Sequence, residues 1–99
     1  MASTIAKTRD GIRRLNTKVF NDNGHFAVQL YATVVYDETR DHIVLAHGGW
    51  VTPTTASRIN QALHHRGVDG GVNIKNGELF YNGKPFVNGE YVIDREEAA

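Results

Sequence analysis

His42-Ile-Val-Leu-Ala-His-Gly-Gly-Trp-Val-Thr-Pro-Thr-Thr-Ala-Ser-Arg-Ile-Asn60 contains the point at which this chain changes its period. Before the glycine pair, His42 to His47 is a short apolar run of the kind found in a buried strand. After it the pattern becomes helical. Pro53 suits a first helical position, because its missing N–H would have no partner there. Thr52 then stands as N-cap, with its hydroxyl accepting from a free first-turn N–H. Gly67 supplies the C-terminal stop, with Arg66 near the negative end of the dipole. Between them Thr55, Ala56, Ile59, Ala62, Leu63 and the stem of Arg66 fall on one face at 100° per residue. Ser57, Arg58, Gln61, His64 and His65 fall on the other. The segment predicts one amphipathic helix of about thirteen residues, with Trp50 closing the edge of the core.

Upstream, Leu15 to Phe20 reads as a strand and Asn21-Asp-Asn-Gly24 as a turn. Phe26, Val28, Leu30, Ala32, Val34 and Tyr36 then alternate with His25, Ala27, Gln29, Tyr31, Thr33 and Val35. Period two over that length predicts one long strand with a buried face. Tyr31 and Val35 on its opposite side point to a second apolar surface. Asp37 to Asp41 reads as a polar turn. Short connections among these strands predict an antiparallel meander.

Downstream, Asn-Gly recurs at Asn76-Gly77, Asn82-Gly83 and Asn88-Gly89. Asn-Gly between strand formers signals a two-residue hairpin, since a type I′ turn needs two positive φ values. Val72-Asn-Ile74 and Leu79-Phe-Tyr81 are expected to pair across the first step, with Lys75 facing Glu78. Only four residues separate successive steps, so not all three are expected to be two-residue hairpins. Pro85 removes a ladder donor and marks an edge or a bend. Tyr91-Val-Ile93 reads as a further strand. The expected fold is α+β: an antiparallel sheet in the order β-β-β-α-β-β, with that further strand and one amphipathic helix packed on it.

The chain has 99 residues, 40% of them hydrophobic and none of them cysteine. That length fits one domain. The lack of cysteine excludes disulfides, thiolate metal sites and cysteine nucleophiles. Eleven basic residues balance eleven acidic ones, which argues against a dedicated polyanion binder. Neutrality hides an asymmetry. Lys7, Arg9, Arg13, Arg14 and Lys18 crowd the first twenty residues, whereas Glu90, Asp94, Glu96 and Glu97 crowd the last ten. Residues 1–11 are expected to form a flexible basic arm and residues 95–99 a frayed acidic tail. No apolar run is long enough to span a bilayer or to serve as a signal peptide. The expected location is the cytosol.

The five histidines match no metal spacing. His64 and His65 are adjacent on the helix, so their side chains diverge, whereas a helical metal pair needs a spacing of three or four. No nucleophile elbow, phosphate loop or His-Glu-x-x-His is present. The expectation is therefore no enzyme, no cofactor and no metal. Two binding surfaces stand out. One is the polar helix face and helix start: Thr54, Ser57, Arg58, Gln61, His64 and His65. The other is the basic arm: Lys7, Arg9, Arg13 and Arg14. The helix start from Gly48 to Arg58 also has free N–H groups and the positive dipole end, which can hold an anion.

The stretch quoted first resembles a group of small bacteriophage proteins. These carry Gly-Gly-Trp-x-Thr-x-Thr-Thr-x-x-Arg-Ile/Met-Asn between a strand and a helix. Here the pattern is met at Gly48, Gly49, Trp50, Thr52, Thr54, Thr55, Arg58, Ile59 and Asn60. A basic strand ending Thr17 to Phe20 precedes it, and an Asn-Gly hairpin region follows. The likeness covers roughly residues 14 to 88, with the central motif its specific part. Ala46-His47 departs from the Asn-Thr usual in the group. The resemblance implies a phage origin and brings no catalytic residue with it. Such an origin implies a non-enzymatic binding protein that inhibits or modulates a host protein or nucleoprotein complex, for instance an anti-defence factor of the anti-CRISPR type. Such a protein acts as a monomer or homodimer in the host cytosol, away from membranes. Two alternatives follow from the residues: a nucleic-acid-binding module using the arm and helix face, and an enzyme or binder of a phosphorylated small molecule at the helix start.

Overall fold

The computed structural model describes residues 10–95. Four strands precede the helix: β1 (Thr17–Asp22), β2 (His25–Leu30), β3 (Thr33–Glu38) and β4 (His42–Ala46). The helix α1 spans Pro53–His65. Four strands follow: β5 (Val72–Lys75), β6 (Glu78–Tyr81), β7 (Lys84–Pro85) and β8 (Glu90–Asp94). The fold is α+β, with antiparallel sheets and one helix. The larger sheet has the order β1-β2-β3-β4-β8, and a three-stranded sheet has the order β5-β6-β7. The helix packs against β2 and β3 of the first sheet and β5 of the second.

The strand expected over residues 25–36 is in fact a hairpin. Tyr31 takes φ 54°, and Leu30 pairs with Thr33 across a two-residue turn. Neither Tyr31 nor Ala32 is a usual turn former, so the alternation ran on through the reversal without a signal. A register shift opposite Val28/Gln29 then buries two successive residues, Val35 and Tyr36. A bulge re-aims side chains in this way. Val35 thus joins the core rather than a second apolar face, while Tyr31 is 68% exposed at the turn. The polar turn is also shorter than expected. Asp37 and Glu38 belong to β3, and the reversal is closed by the Thr39 N–H donating to the His42 carbonyl at 2.9 Å.

All three Asn-Gly steps are two-residue turns, against expectation. Each Asn has φ between 49° and 53° and each following Gly between 76° and 83°. The flanking pairs are Lys75↔Glu78, Tyr81↔Lys84 and Val87↔Glu90. Two rungs suffice for β7, because Asn-Gly sets the reversal locally. Pro85 lies on the edge strand of its sheet, where a missing donor costs no ladder bond.

The core lies where the helix meets both sheets. Phe26, Val28, Leu30, Tyr36, Ile43 and Leu45 come from the large sheet; Ile59, Ala62 and Leu63 come from the helix; Val72, Leu79 and Tyr81 come from the small sheet. Ile12, fully buried, plugs the core from the segment before β1. Asn60 ties helix to small sheet with a side-chain version of a β-bridge: its Nδ2 donates to the Val72 carbonyl at 3.0 Å and its Oδ1 accepts from the Val72 N–H at 2.7 Å. A Cβ on Gly71 would lie 2.8 Å from that Oδ1, so the close approach requires glycine. Asn60→Ala leaves both Val72 backbone groups without their partner and is expected to cost about 1 to 3 kcal/mol, measured as a lowered urea midpoint at unchanged m-value.

At the far end of the helix, Glu38 is 3% exposed and gathers three donor side chains. Arg66 approaches through Nε and Nη2, both at 3.1 Å. The Tyr36 hydroxyl donates at 2.7 Å, and Arg95 Nη1 also donates. Arg66 lies over the Phe26 ring at 4.7 Å. Arg95, assigned by the sequence reading to the frayed tail, is held here by its side chain and by its N–H on the Asp41 carbonyl. Residues 96–99 lie outside the described residues, as do positions 1–9 of the expected arm.

Candidate binding surface at the helix start

The chain leaves β4 through a corner in which Gly48 (φ 57°) and Gly49 (φ 89°) are both left-handed. A Cβ on Gly48 would lie 2.7 Å from the Thr33 side chain. His47 holds the corner: its Nδ1 accepts from the Gly49 N–H at 2.9 Å and its carbonyl accepts from the Trp50 N–H at 2.8 Å. Thr52 caps the helix as expected, its Oγ1 accepting from the Thr55 N–H at 3.2 Å. The corner therefore delivers the chain from sheet to helix with Trp50 at its tip.

Trp50 does not close the core edge. It is 65% exposed, because the hydrogen-bonded corner turns it outward. With Tyr31, Leu30, Val35, Thr54 and His47 it lines a largely apolar cleft of about 580 Å³. Trp50→Ala is consequently expected to change stability by less than about 1 kcal/mol, checked by thermal unfolding.

Arg58 does not belong to the solvated helix face either. It is 5% exposed and shares the buried stripe with Thr55, Ile59, Ala62 and Leu63. Three residues after Thr55, it sits in phase with the core, where charge alone would place it outside. Its Nε donates to Thr17 Oγ1 at 2.9 Å and its Nη2 reaches the Leu15 carbonyl at 3.4 Å. Among the described residues no carboxylate pairs with it. Burial, and then the neighbouring charge of Arg13, pull its pKa below the usual arginine value, with Tyr31 opposing.

The remaining predicted residues divide. Arg13, Thr54, Ser57 and Gln61 line one pocket with Arg58, Tyr31 and Asn16, a cavity of about 460 Å³. Gln61 orders this wall: its Oε1 accepts from the Arg13 N–H at 2.9 Å and its Nε2 donates to Ser57 Oγ at 3.1 Å. Asn16 Nδ2 donates to the Tyr31 hydroxyl at 3.0 Å. Arg14 is turned aside to Asp10, at 2.8 Å. His64 lines a separate open groove with Asp10 and Ile74. His65 is exposed, with its ring 5.5 Å from that of Phe26. Lys7 and Arg9 lie outside the described residues. Sequence reasoning missed Asn16, and it placed Tyr31 on a second apolar surface without joining it to this wall. Both have positive φ, 54° at each, and only asparagine advertises that conformation. Among the described residues, no three His, Asp or Glu side chains converge as a metal site.

A family model described as the Kyanoviridae Gp96 protein matches residues 1–97. The chain belongs to the Kyanoviridae Gp96 protein family. This is a phage family, which agrees with the resemblance to small phage proteins. No curated protein and no solved structure matches the chain. No helix among those described is long and apolar enough to cross a membrane.

Proposed function

We propose that this phage protein is a non-enzymatic binding protein that acts in the host cytosol by occupying a host protein complex, in the manner of an anti-defence factor such as an anti-CRISPR protein. One observation carries the reading: Trp50 and Tyr31, at 65% and 68% exposure, line the same cleft from backbone corners fixed by hydrogen bonds. Tryptophan and tyrosine held rigidly at a surface are the residue types on which protein interfaces concentrate their binding energy. Their exposure brings no benefit to folding. A polynucleotide groove is the weaker reading, since Arg14 is paired with Asp10 and acidic residues balance basic ones over the chain, which leaves few cations for counterion release along a polyanion.

The test is affinity capture from host lysate with the wild-type chain and with a Trp50→Ala/Tyr31→Asn variant. Asparagine at position 31 tolerates the positive φ. Recovery of one discrete host complex by the wild type, lost with the folded variant, is the expected result. Recovery of the same complex by both chains would move the binding surface elsewhere, and recovery of none would remove the proposal.

A further inference from the structure

The apolar cleft and the arginine pocket are neighbours that share Leu30, Tyr31 and Thr54 among their lining residues. Their chemistry is opposite. One holds two exposed aromatic rings against aliphatic walls. The other contains Arg58 and Arg13, and no aspartate or glutamate lines either space. Arg58 Nη1 donates to no group within the described chain. Arg58 nevertheless lines the pocket, although only 5% of the residue is exposed. A guanidinium held out of water without a counter-ion is costly. Its fork matches an oxoanion through paired donors. The Thr54 and Ser57 hydroxyls beside it can add further hydrogen bonds.

We infer that the two spaces form one site for a ligand with a flat ring at one end and a phosphate at the other, namely a nucleoside monophosphate. The base lies on Trp50 and Tyr31, as aromatic side chains stack on bases irrespective of sequence. The phosphate meets Arg58 and Arg13, and Thr54 lies between the halves. Charge complementarity selects the anion, and the two aromatic side chains lining the cleft select a nucleotide over a bare ion.

The chain has a single tryptophan, so its fluorescence reports on the site directly. The purified full chain is titrated with adenosine and guanosine 5′-monophosphate, with the two nucleosides, and with inorganic phosphate. Saturable quenching by a monophosphate is expected, with the nucleoside and phosphate each at least about tenfold weaker, as loss of a charged hydrogen-bonding group implies. Arg58→Met should abolish binding. Arg13→Gln, which keeps the backbone hydrogen bond to Gln61, should weaken it about three- to tenfold. Absence of saturable quenching overturns the inference. So does a nucleoside that binds as tightly as its monophosphate, inorganic phosphate that binds as tightly as either, or unaltered binding by folded Arg58→Met. Acidic peptides that bind where nucleotides do not would overturn it in favour of a protein ligand. Since the titration uses no host component, its outcome and that of the capture experiment are independent.

Discussion

Glu38→Ala is expected to lower folding stability by about 2 to 3 kcal/mol, because it removes the buried acceptor of a cluster whose two arginines are themselves partly exposed to water. Glu38 receives Arg66 through two nitrogens, Arg95 through one and the Tyr36 hydroxyl at 2.7 Å. Deleting the carboxylate leaves Arg66 unpaired over Phe26 and a buried phenol without an acceptor. The same cluster sets an acid limit. Burial pushes the Glu38 carboxyl up, but the hydrogen bonds from Arg66, Tyr36 and Arg95 outweigh it, and the pKa lies below the ordinary glutamate value of 4.5. The folded state therefore binds fewer protons at this group than the unfolded chain. The stabilisation is present above the ordinary glutamate range and is lost as pH falls through the depressed value. Denaturant melts of the wild type should show that decline below about pH 4.5, and melts of Glu38→Ala should lack this contribution. A variant within about 1 kcal/mol of wild type would show that the cluster is compensated elsewhere.

What was legible in the sequence was whatever the backbone requires. Thr52, Pro53 and Gly67 mark the helix because cap and stop chemistry is local. Asn76, Asn82 and Asn88 mark turns because few residues accept positive φ. Illegible features depend on what lies opposite in space. Glu38 sits in an acidic run that reads as a solvated turn, and only the approach of Arg66 from the helix and Arg95 from the chain end makes it a hub. Tyr31 turns the chain with no turn residue, held by its N–H on the Asn16 carbonyl at 2.8 Å. Trp50 reads as core by its type, yet the glycine corner aims it at solvent. The candidate surface was half legible for the same reason. Thr54, Ser57, Gln61 and Arg13 line one wall although they read as two separate surfaces, while Tyr31, which completes it, fell within a period-two pattern that hid the reversal, and Asn16 has no periodic signal.

Arg58 separates what the fold needs from what it tolerates. Arg58→Ala should cost about 2 to 4 kcal/mol, since truncation removes a long packed stem and leaves a cavity between α1 and β1. Arg58→Met should behave differently. Methionine refills most of that volume. The hydrogen bonds that it deletes leave no orphan behind: Thr17 Oγ1 still donates to the Leu15 carbonyl at 2.7 Å, so both acceptors lost to the guanidinium keep a partner. The substitution also releases a buried charge that no carboxylate balances and that Arg13 opposes. A charge in that position opposes folding, so Arg58→Met is expected to match or exceed the wild-type melting temperature while Arg58→Ala falls well below it. If both variants lose stability equally, the guanidinium contributes through its hydrogen bonds, and the unpaired cation is part of the scaffold. If methionine is tolerated, the positive charge is retained for something other than folding. The wild type should then gain thermal stability from an anion that meets Arg58, whereas the methionine variant should not.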